Sequence, residues 1–129
     1  MRSRSLLAVA LLASAVLFGC SDQAAYRRAA ALTGGNPRAG RQAIRRYGCQ
    51  TCHTIPGVAG ARGMVGPPLD TIGDRYVIAG ELPNTPENLM HWIQHPHQIE
   101  PHTMMPEMGV SEQDSRDIAA YLYTLRNQN

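Results

Sequence analysis

The sequence is poor in aromatic side chains, which make up 5% of its 129 residues: one Trp, one Phe and five Tyr. A chain of this length folds as one domain, and with so few aromatic residues it buries only a modest hydrophobic core. It also lacks an internal repeat and any alternating apolar run long enough for a sheet. These absences exclude a repeat array and an all-β domain, and they predict an all-α fold class.

No apolar run approaches the ~20 residues that cross a bilayer as a helix. The uncharged stretch Leu6 to Phe18 has thirteen residues and follows Arg2 and Arg4, so an export signal is favoured over an uncleaved anchor. The end of this stretch, Leu17-Phe18-Gly19-Cys20, resembles the lipobox of bacterial lipoproteins. The resemblance implies a lipoprotein signal peptide over residues 1–19 and a lipid on Cys20 that holds the protein on the periplasmic side of a bacterial membrane.

Acidic residues are nearly absent from the first part of the mature chain. Residues 20–66 contain seven Arg and one Asp, whereas residues 67–129 contain three Arg and nine acidic residues. The chain from residue 20 onwards is therefore neutral, which disfavours binding to nucleic acid, and its surface is expected to be dipolar. Residues 20–35 are small and polar without sustained apolar periodicity, and they are predicted to form a flexible, lipidated tether.

Two helices are predicted from their end signals. An Asn-Pro pair begins a helix from Pro37 to Tyr47, which Gly48 ends. A Thr-Pro pair at 85–86 begins another, which ends at His95 because Pro96 disfavours its continuation.

The last helix is predicted from a capping-box signature, Ser111 followed by Asp114. Its apolar residues recur at helical spacing: Ile118, Tyr121, Leu122 and Leu125. Between the helices, residues 54–68 are rich in Gly and Pro and residues 96–110 are rich in Met and Pro, so both segments are predicted to be irregular.

The segment Cys49-Gln50-Thr51-Cys52-His53 matches C-x-x-C-H, the attachment site of c-type haem. Two thiols three residues apart can each add to a vinyl group of one porphyrin, and His53 then binds the iron. A covalent haem would also supply the apolar bulk that the scarce aromatic residues do not. The alternatives are a disulfide between Cys49 and Cys52 or half of a zinc site, neither of which needs the adjacent His.

A haem iron needs a second axial ligand or an open site, and the irregular segment before the last helix contains three methionines. A thioether is a soft ligand that favours Fe(II). The alternatives are methionines that fill the core, or a histidine as sixth ligand. The candidate ligands are therefore Met104, Met105 and Met108, or one of His91, His95, His97 and His102.

The C-x-x-C-H motif and Met105-Pro106 together resemble the class I cytochromes c, of the small bacterial kind, over about Asn36 to Leu125. The resemblance implies a mono-haem domain over residues 36–129 with a cytochrome c-like fold. In this fold the terminal helices cross, and loops and short helices enclose one covalent haem c. Two residues match the small-plus-aromatic crossing of the family's terminal helices: Gly40 and Tyr121.

The resemblance also assigns roles at the haem. It places the distal ligand at Met105, with Met104 and Met108 as alternatives. In Gly66-Pro67-Pro68-Leu69 it makes the Pro67 carbonyl the acceptor of a hydrogen bond from His53. Matches to the family's donors to the haem propionates are Arg75, Trp92 and Tyr76, with core packing as the alternative for Trp92.

The function implied is single-electron transfer, without chemistry on a substrate. The expected partners are a membrane-bound donor of the quinol-cytochrome c reductase type and a terminal oxidase or reductase, and the protein is expected to be a monomer. Arg45 and Arg46 precede the motif and are expected to steer an acidic docking patch. Two other hypotheses are a haem-docked subunit of an oxidase or reductase complex and an open-site haem enzyme or gas sensor.

Overall fold

The computed structural model describes residues 22–127. The predicted signal peptide, residues 1–19, and the predicted lipidation site, Cys20, lie outside the described residues. Among the helices of residues 22–127, none is both long and apolar enough to cross a membrane.

Helices dominate the described chain, and the predicted all-α class is confirmed. In chain order the elements are α1 (residues 22–33), α2 (Pro37–Arg46), a 3₁₀ turn (Cys49–Thr51), a second 3₁₀ turn (Ile72–Asp74), β1 (Val77–Ile78), β2 (Leu82–Pro83), α3 (Pro86–Gln94), α4 (Pro96–Ile99) and α5 (Glu112–Leu122).

The helices begin where the sequence signals place them. The Asn36 side chain accepts a hydrogen bond from the Arg38 N–H at 3.0 Å and so caps α2. Thr85 caps α3 in the same way, and Ser111 caps α5 by accepting from the Asp114 N–H at 3.1 Å. Each cap supplies a partner to an N–H group that has none within its own helix.

The prediction of a flexible tether over residues 20–35 is wrong for the described part, because residues 22–33 form α1. Ala29 is 1% exposed and Thr33 is 4% exposed, so one face of α1 packs against the domain. The segment is rich in Ala, the strongest helix former, and small side chains four residues apart suffice for close packing. Gly34, with a φ of 70°, ends α1 in the left-handed conformation.

Two further segments differ from prediction. Pro96 ends α3 but also begins the single turn α4, because its fixed φ suits a first helical position. A small antiparallel hairpin pairs Ile78 with Leu82. Its three-residue loop begins with a turn in which the Glu81 N–H donates to the Ile78 carbonyl at 3.2 Å, and the central residues Ala79 and Gly80 have φ values of 54° and 78°, both positive as in a type I′ turn. α5 ends at Leu122, earlier than the apolar pattern predicts.

Of the elements from α2 onwards, α2 and α5 pack against each other most extensively. Gly40 lies directly against the α5 backbone, and a Cβ at this position would overlap the carbonyl group of Asp117. The aromatic residue predicted at this crossing, Tyr121, is buried one turn further along and donates its hydroxyl to the Pro56 carbonyl at 2.6 Å. The terminal helices therefore meet through backbone contact at a glycine.

A second contact joins the last turn of α2 to the first turn of α5. Asp114 accepts a hydrogen bond from the Tyr47 hydroxyl at 2.7 Å and forms an ion pair with Arg46 at 2.7 Å. The hydrogen bond from Tyr47, followed by the pairing with Arg46, lowers the pKa of Asp114. Arg46, which was expected to face a docking partner, thus forms an ion pair with Asp114 of the same domain.

We expect Gly40→Ala to destabilise the domain by about 1–3 kcal/mol, because the added methyl group forces α2 and α5 apart. Urea unfolding followed by circular dichroism measures the change. Gln42→Ala, at an exposed position of the same helix, is the control and should change stability little. Equal stability of Gly40→Ala and wild type would contradict the packing described.

We expect Asp114→Asn to lower stability by about 1 kcal/mol at neutral pH, because it removes a charged acceptor from a partly exposed network. The folded-state pKa lies below the ordinary 3.8, so wild type holds this stabilisation above about pH 4 and loses it as pH falls through the folded pKa. The two proteins should therefore converge in acid. Thermal unfolding from pH 3 to 7 measures this, with exposed Asp70→Asn as the control.

Candidate cofactor site

A cavity of about 650 Å³ opens beside the C-x-x-C-H motif. Its lining is mainly apolar, and its volume lies within the roughly 300–1,000 Å³ typical of cofactor pockets. The structure brings seven of the residues predicted at the cofactor to this one cavity: Cys49, Cys52, His53, Pro67, Arg75, Trp92 and Met105.

The motif begins where α2 ends. Gly48, with a φ of 78°, turns the chain out of the helix, and a 3₁₀ turn follows from Cys49. The N–H groups of Cys52 and His53 donate to the Cys49 carbonyl at 3.2 and 3.0 Å, so both thiols lie on a single turn. The cysteines are not joined by a disulfide. Burial, with a further contribution from Cys52, raises the pKa of the Cys49 thiol.

The imidazole of His53 is held by the predicted partner. Its Nδ1 lies 2.7 Å from the Pro67 carbonyl oxygen. Because a carbonyl only accepts, Nδ1 must donate, which fixes the tautomer and leaves the Nε2 lone pair available to a metal. Gly66 lies against the ring, and a Cβ at this position would overlap the imidazole carbon Cε1.

The loop that carries Gly66 and Pro67 is bonded directly to the motif. The Gly66 N–H donates to the Cys52 carbonyl at 2.8 Å. Thr54 donates its hydroxyl to the Gly63 carbonyl at 3.1 Å, and its own carbonyl accepts from the Leu69 N–H at 2.9 Å. These bonds position the Pro67 carbonyl relative to His53.

The three methionines of the segment before α5 all line the cavity. Met104 is 84% exposed, whereas Met105 and Met108 are half-buried. The Met105 N–H donates to the Thr103 hydroxyl at 3.2 Å, which fixes its backbone. Burial therefore favours Met105 or Met108 over Met104 as the residue facing a bound group.

The histidines outside the motif do not line the cavity. His91 contacts Gln98, while His95 and His97 both lie near Glu107, at 3.9 and 3.7 Å. The alternative of a histidine as sixth ligand therefore has no support in the geometry. Within residues 22–127, no three His, Cys, Asp or Glu side chains are grouped as a metal site.

Two of the three candidate propionate donors lie at the cavity. Arg75 lines it and donates to the Pro68 carbonyl, and Trp92 lines it half-buried. Tyr76 is 92% exposed and does not line it, so the expectation for Tyr76 is wrong. Adjacent residues alternate sides along the extended chain before β1, which turns Tyr76 outwards.

Asn84 supports the segment that carries Arg75. Its side-chain amide donates to the carbonyls of Ile72 and Arg75 at 2.8 and 2.9 Å. The Tyr123 hydroxyl donates to the Asn84 side-chain oxygen at 2.9 Å, and burial raises the pKa of Tyr123 to about 12. Tyr123 is thus a neutral donor at physiological pH.

Sequence reasoning missed one wall of the cavity, the hairpin residues Val77 to Gly80. Strands of two residues are too short for an alternating pattern, and an Ala in the left-handed conformation has no sequence signature. The short apolar run Val77-Ile78-Ala79 was the sequence feature that could have indicated this wall of the cavity.

Comparison with known proteins agrees with this geometry. The cytochrome c family profile matches residues 37–126. The chain belongs to the cytochrome c family. A cytochrome c oxidase subunit 2 from Alkalihalophilus pseudofirmus is 38% identical over 88 residues, which cover 67% of this chain. The match covers 25% of that relative, so this chain corresponds to about a quarter of its length.

Membership in the family means that the chain covalently binds haem c, an iron-containing porphyrin, and carries electrons. The residues present fit this cofactor. Two unpaired thiols lie on one turn, Pro67 holds the His53 imidazole beside them, and a largely apolar cavity of suitable size adjoins both.

We expect Gly66→Ala to reduce the yield of haem-loaded protein and to lower its melting temperature, because the methyl group displaces the His53 ring from Pro67. The haem absorbance per polypeptide and thermal unfolding measure both effects. Met64→Ala is the control, since Met64 lies on the same loop and is 91% exposed. An unchanged haem content and melting temperature in Gly66→Ala would contradict the assigned role of Gly66.

Proposed function

We propose that this protein is a membrane-anchored, one-electron carrier on the periplasmic side of a bacterial membrane, with His53 and Met105 as axial ligands of its haem. The observation that carries the proposal is the single cavity lined by both the C-x-x-C-H motif and the methionine segment. The protein acts as a monomer and performs no chemistry on a substrate.

The motif residues attach and orient the cofactor. Cys49 and Cys52 would form the thioether bonds, and His53, whose Nδ1 donates to Pro67, would hold the iron through its other ring nitrogen. The haem supplies a reversible one-electron couple when bound. The hydrogen bond to Pro67 increases the basicity of the imidazole and prevents ring rotation, so the ligand keeps one orientation in both oxidation states.

Met105 is the preferred distal ligand because it is half-buried at the cavity and its backbone is held by Thr103. A thioether raises the reduction potential relative to a second imidazole. If His53 and Met105 both held the iron, small molecules such as peroxide or CO would not reach it, whereas an open-site enzyme or gas sensor would leave the iron accessible. Arg75 and Trp92 are assigned to the haem propionates.

The electron donor is proposed to be a membrane-bound complex of the quinol-cytochrome c reductase type, and the acceptor a terminal oxidase or reductase. The relative named cytochrome c oxidase subunit 2 supports an oxidase as the acceptor. It also supports the second candidate function, a cytochrome domain that stays docked as a subunit of such a complex. Co-purification of an oxidase with the native protein distinguishes a docked subunit from a free carrier.

We expect Met105→Ala to abolish the weak charge-transfer band in the red part of the oxidised spectrum, because this band reports an iron to sulfur bond. The reduced variant should then bind CO. Met104→Ala and Met108→Ala are matched controls that should keep the band. If the band instead disappears in Met108→Ala, the ligand is Met108, and if wild type lacks it, the closed His/Met site is wrong.

We expect the native protein to fractionate with membranes and to carry acyl chains on Cys20, because several chains together anchor a protein stably. Intact-mass spectrometry measures the lipid mass. Cys20→Ser should remove the lipid mass from the protein, whereas Ser14→Ala in the same leader should not. An unmodified Cys20 in the membrane-associated protein would refute lipid anchoring.

A further inference from the structure

A polar cleft lies between α1 and α2, away from the residues that line the haem cavity. The Arg38 guanidinium spans it, donating to the Gln23 side chain at 3.4 Å and lying 5.7 Å from the centre of the Tyr26 ring. Arg41 lines the same cleft. The Arg38 guanidinium is thus held against α1, which precedes the residues matched by the cytochrome c family, and Arg41 lies one turn further along α2.

One carboxylate, that of Asp22, also lines the cleft, but the arginines of this region outnumber it. Arg38 and Arg41 on α2, with Arg27 and Arg28 on α1, are exposed, and no ion pair joins any of them to a carboxylate of residues 22–127. By contrast, Arg46, on the same helix as Arg38, pairs with Asp114. We call these four exposed arginines the arginine face.

The arginine face adjoins the proposed anchor point. α1 is described from residue 22, and two residues of chain reach at most about 7 Å, so the first turn of α1 lies close to any lipid on Cys20. α1 packs against the domain through Ala29 and Thr33, so its orientation is shared with the domain. Leu32, four residues after Arg28, is 55% exposed, so an apolar side chain accompanies the basic ones on the exposed side of α1.

We propose that the arginine face docks on the anionic headgroups of the membrane that holds the protein. The location of the arginine face beside the membrane rests on the proposed lipidation of Cys20. The electrostatic attraction between these arginines and anionic headgroups does not depend on that lipid. Docking through two packed helices holds the domain in one orientation, whereas a flexible tether would let it rotate. Each basic residue near an anionic surface strengthens binding about fivefold.

The test uses the haem-loaded mature protein, residues 20–129, carrying Cys20→Ser, so that binding reports the arginines without the lipid and without the apolar leader. Binding is measured by sedimentation with vesicles of phosphatidylglycerol and phosphatidylcholine, and with vesicles of phosphatidylcholine alone. The parent should bind only the anionic vesicles and be released by salt, because screening weakens exposed charges. Arg38→Gln with Arg41→Gln should weaken binding about tenfold or more.

Two control variants test the specificity of this loss. Arg62→Gln with Arg116→Gln removes the same charge elsewhere and should change binding less than about twofold. Arg38→Lys with Arg41→Lys keeps the charge and should bind like the parent, which excludes misfolding as the cause. Equal binding of the parent and the Arg38/Arg41 glutamine variant, or an equal loss in the Arg62/Arg116 variant, would overturn the proposal.

The same proteins separate this proposal from the proposed electron-carrier function. Their haem spectra and their reduction by ascorbate test the redox centre and do not depend on vesicles. If the Arg38/Arg41 glutamine variant keeps its vesicle binding but loses salt-dependent reduction by a membrane donor complex, the face docks on an acidic protein and the lipid proposal is wrong. An absent lipid on Cys20 would refute anchoring alone.

Discussion

The contact on which the rest of this structure depends is the approach of two helix backbones at Gly40. α2 ends immediately before the C-x-x-C-H motif, and α5 begins immediately after the methionine segment. When the two helices pack at Gly40, the two segments that supply the cofactor site are brought to one cavity although they are about fifty residues apart. No side chain larger than hydrogen fits at this point, so the close approach depends on a single position.

The network around Asp114 acts at the same junction. It joins the last residues of α2 to the first turn of α5 through one charge-assisted hydrogen bond and one ion pair. The attachment motif follows the end of α2, and the methionine segment leads into the start of α5. A restraint at this junction therefore limits the movement of the two segments relative to each other. In an electron carrier, a site that changes little between oxidation states keeps the reorganisation energy small.

The helix α1 lies before the residues that match the family, which begin at residue 37. It uses small residues to pack against the domain and leaves arginines exposed. Cofactor chemistry and surface charge are consequently separated in the molecule. The haem site is built by the loops that follow α2 and precede α5, and the arginine face is built by α1 and the exposed side of α2.

The sequence by itself determined the features that depend only on residues close together in the chain. The caps at Asn36, Thr85 and Ser111 act within one helical turn, and C-x-x-C-H carries its chemistry in five residues, so helix starts and the cofactor could be predicted. Even the contact between His53 and Pro67 could be expected from a resemblance of short motifs, and the structure contains it.

Only the tertiary structure decided which way the remaining side chains face. It engages Arg46 with Asp114, turns Tyr76 to solvent and keeps the other histidines away from the cavity. It also decided that residues 22–33 fold as α1. Small side chains stabilise a helix by burial only when a complementary surface packs against them. These outcomes depend on contacts between residues distant in sequence, which local spacing does not encode.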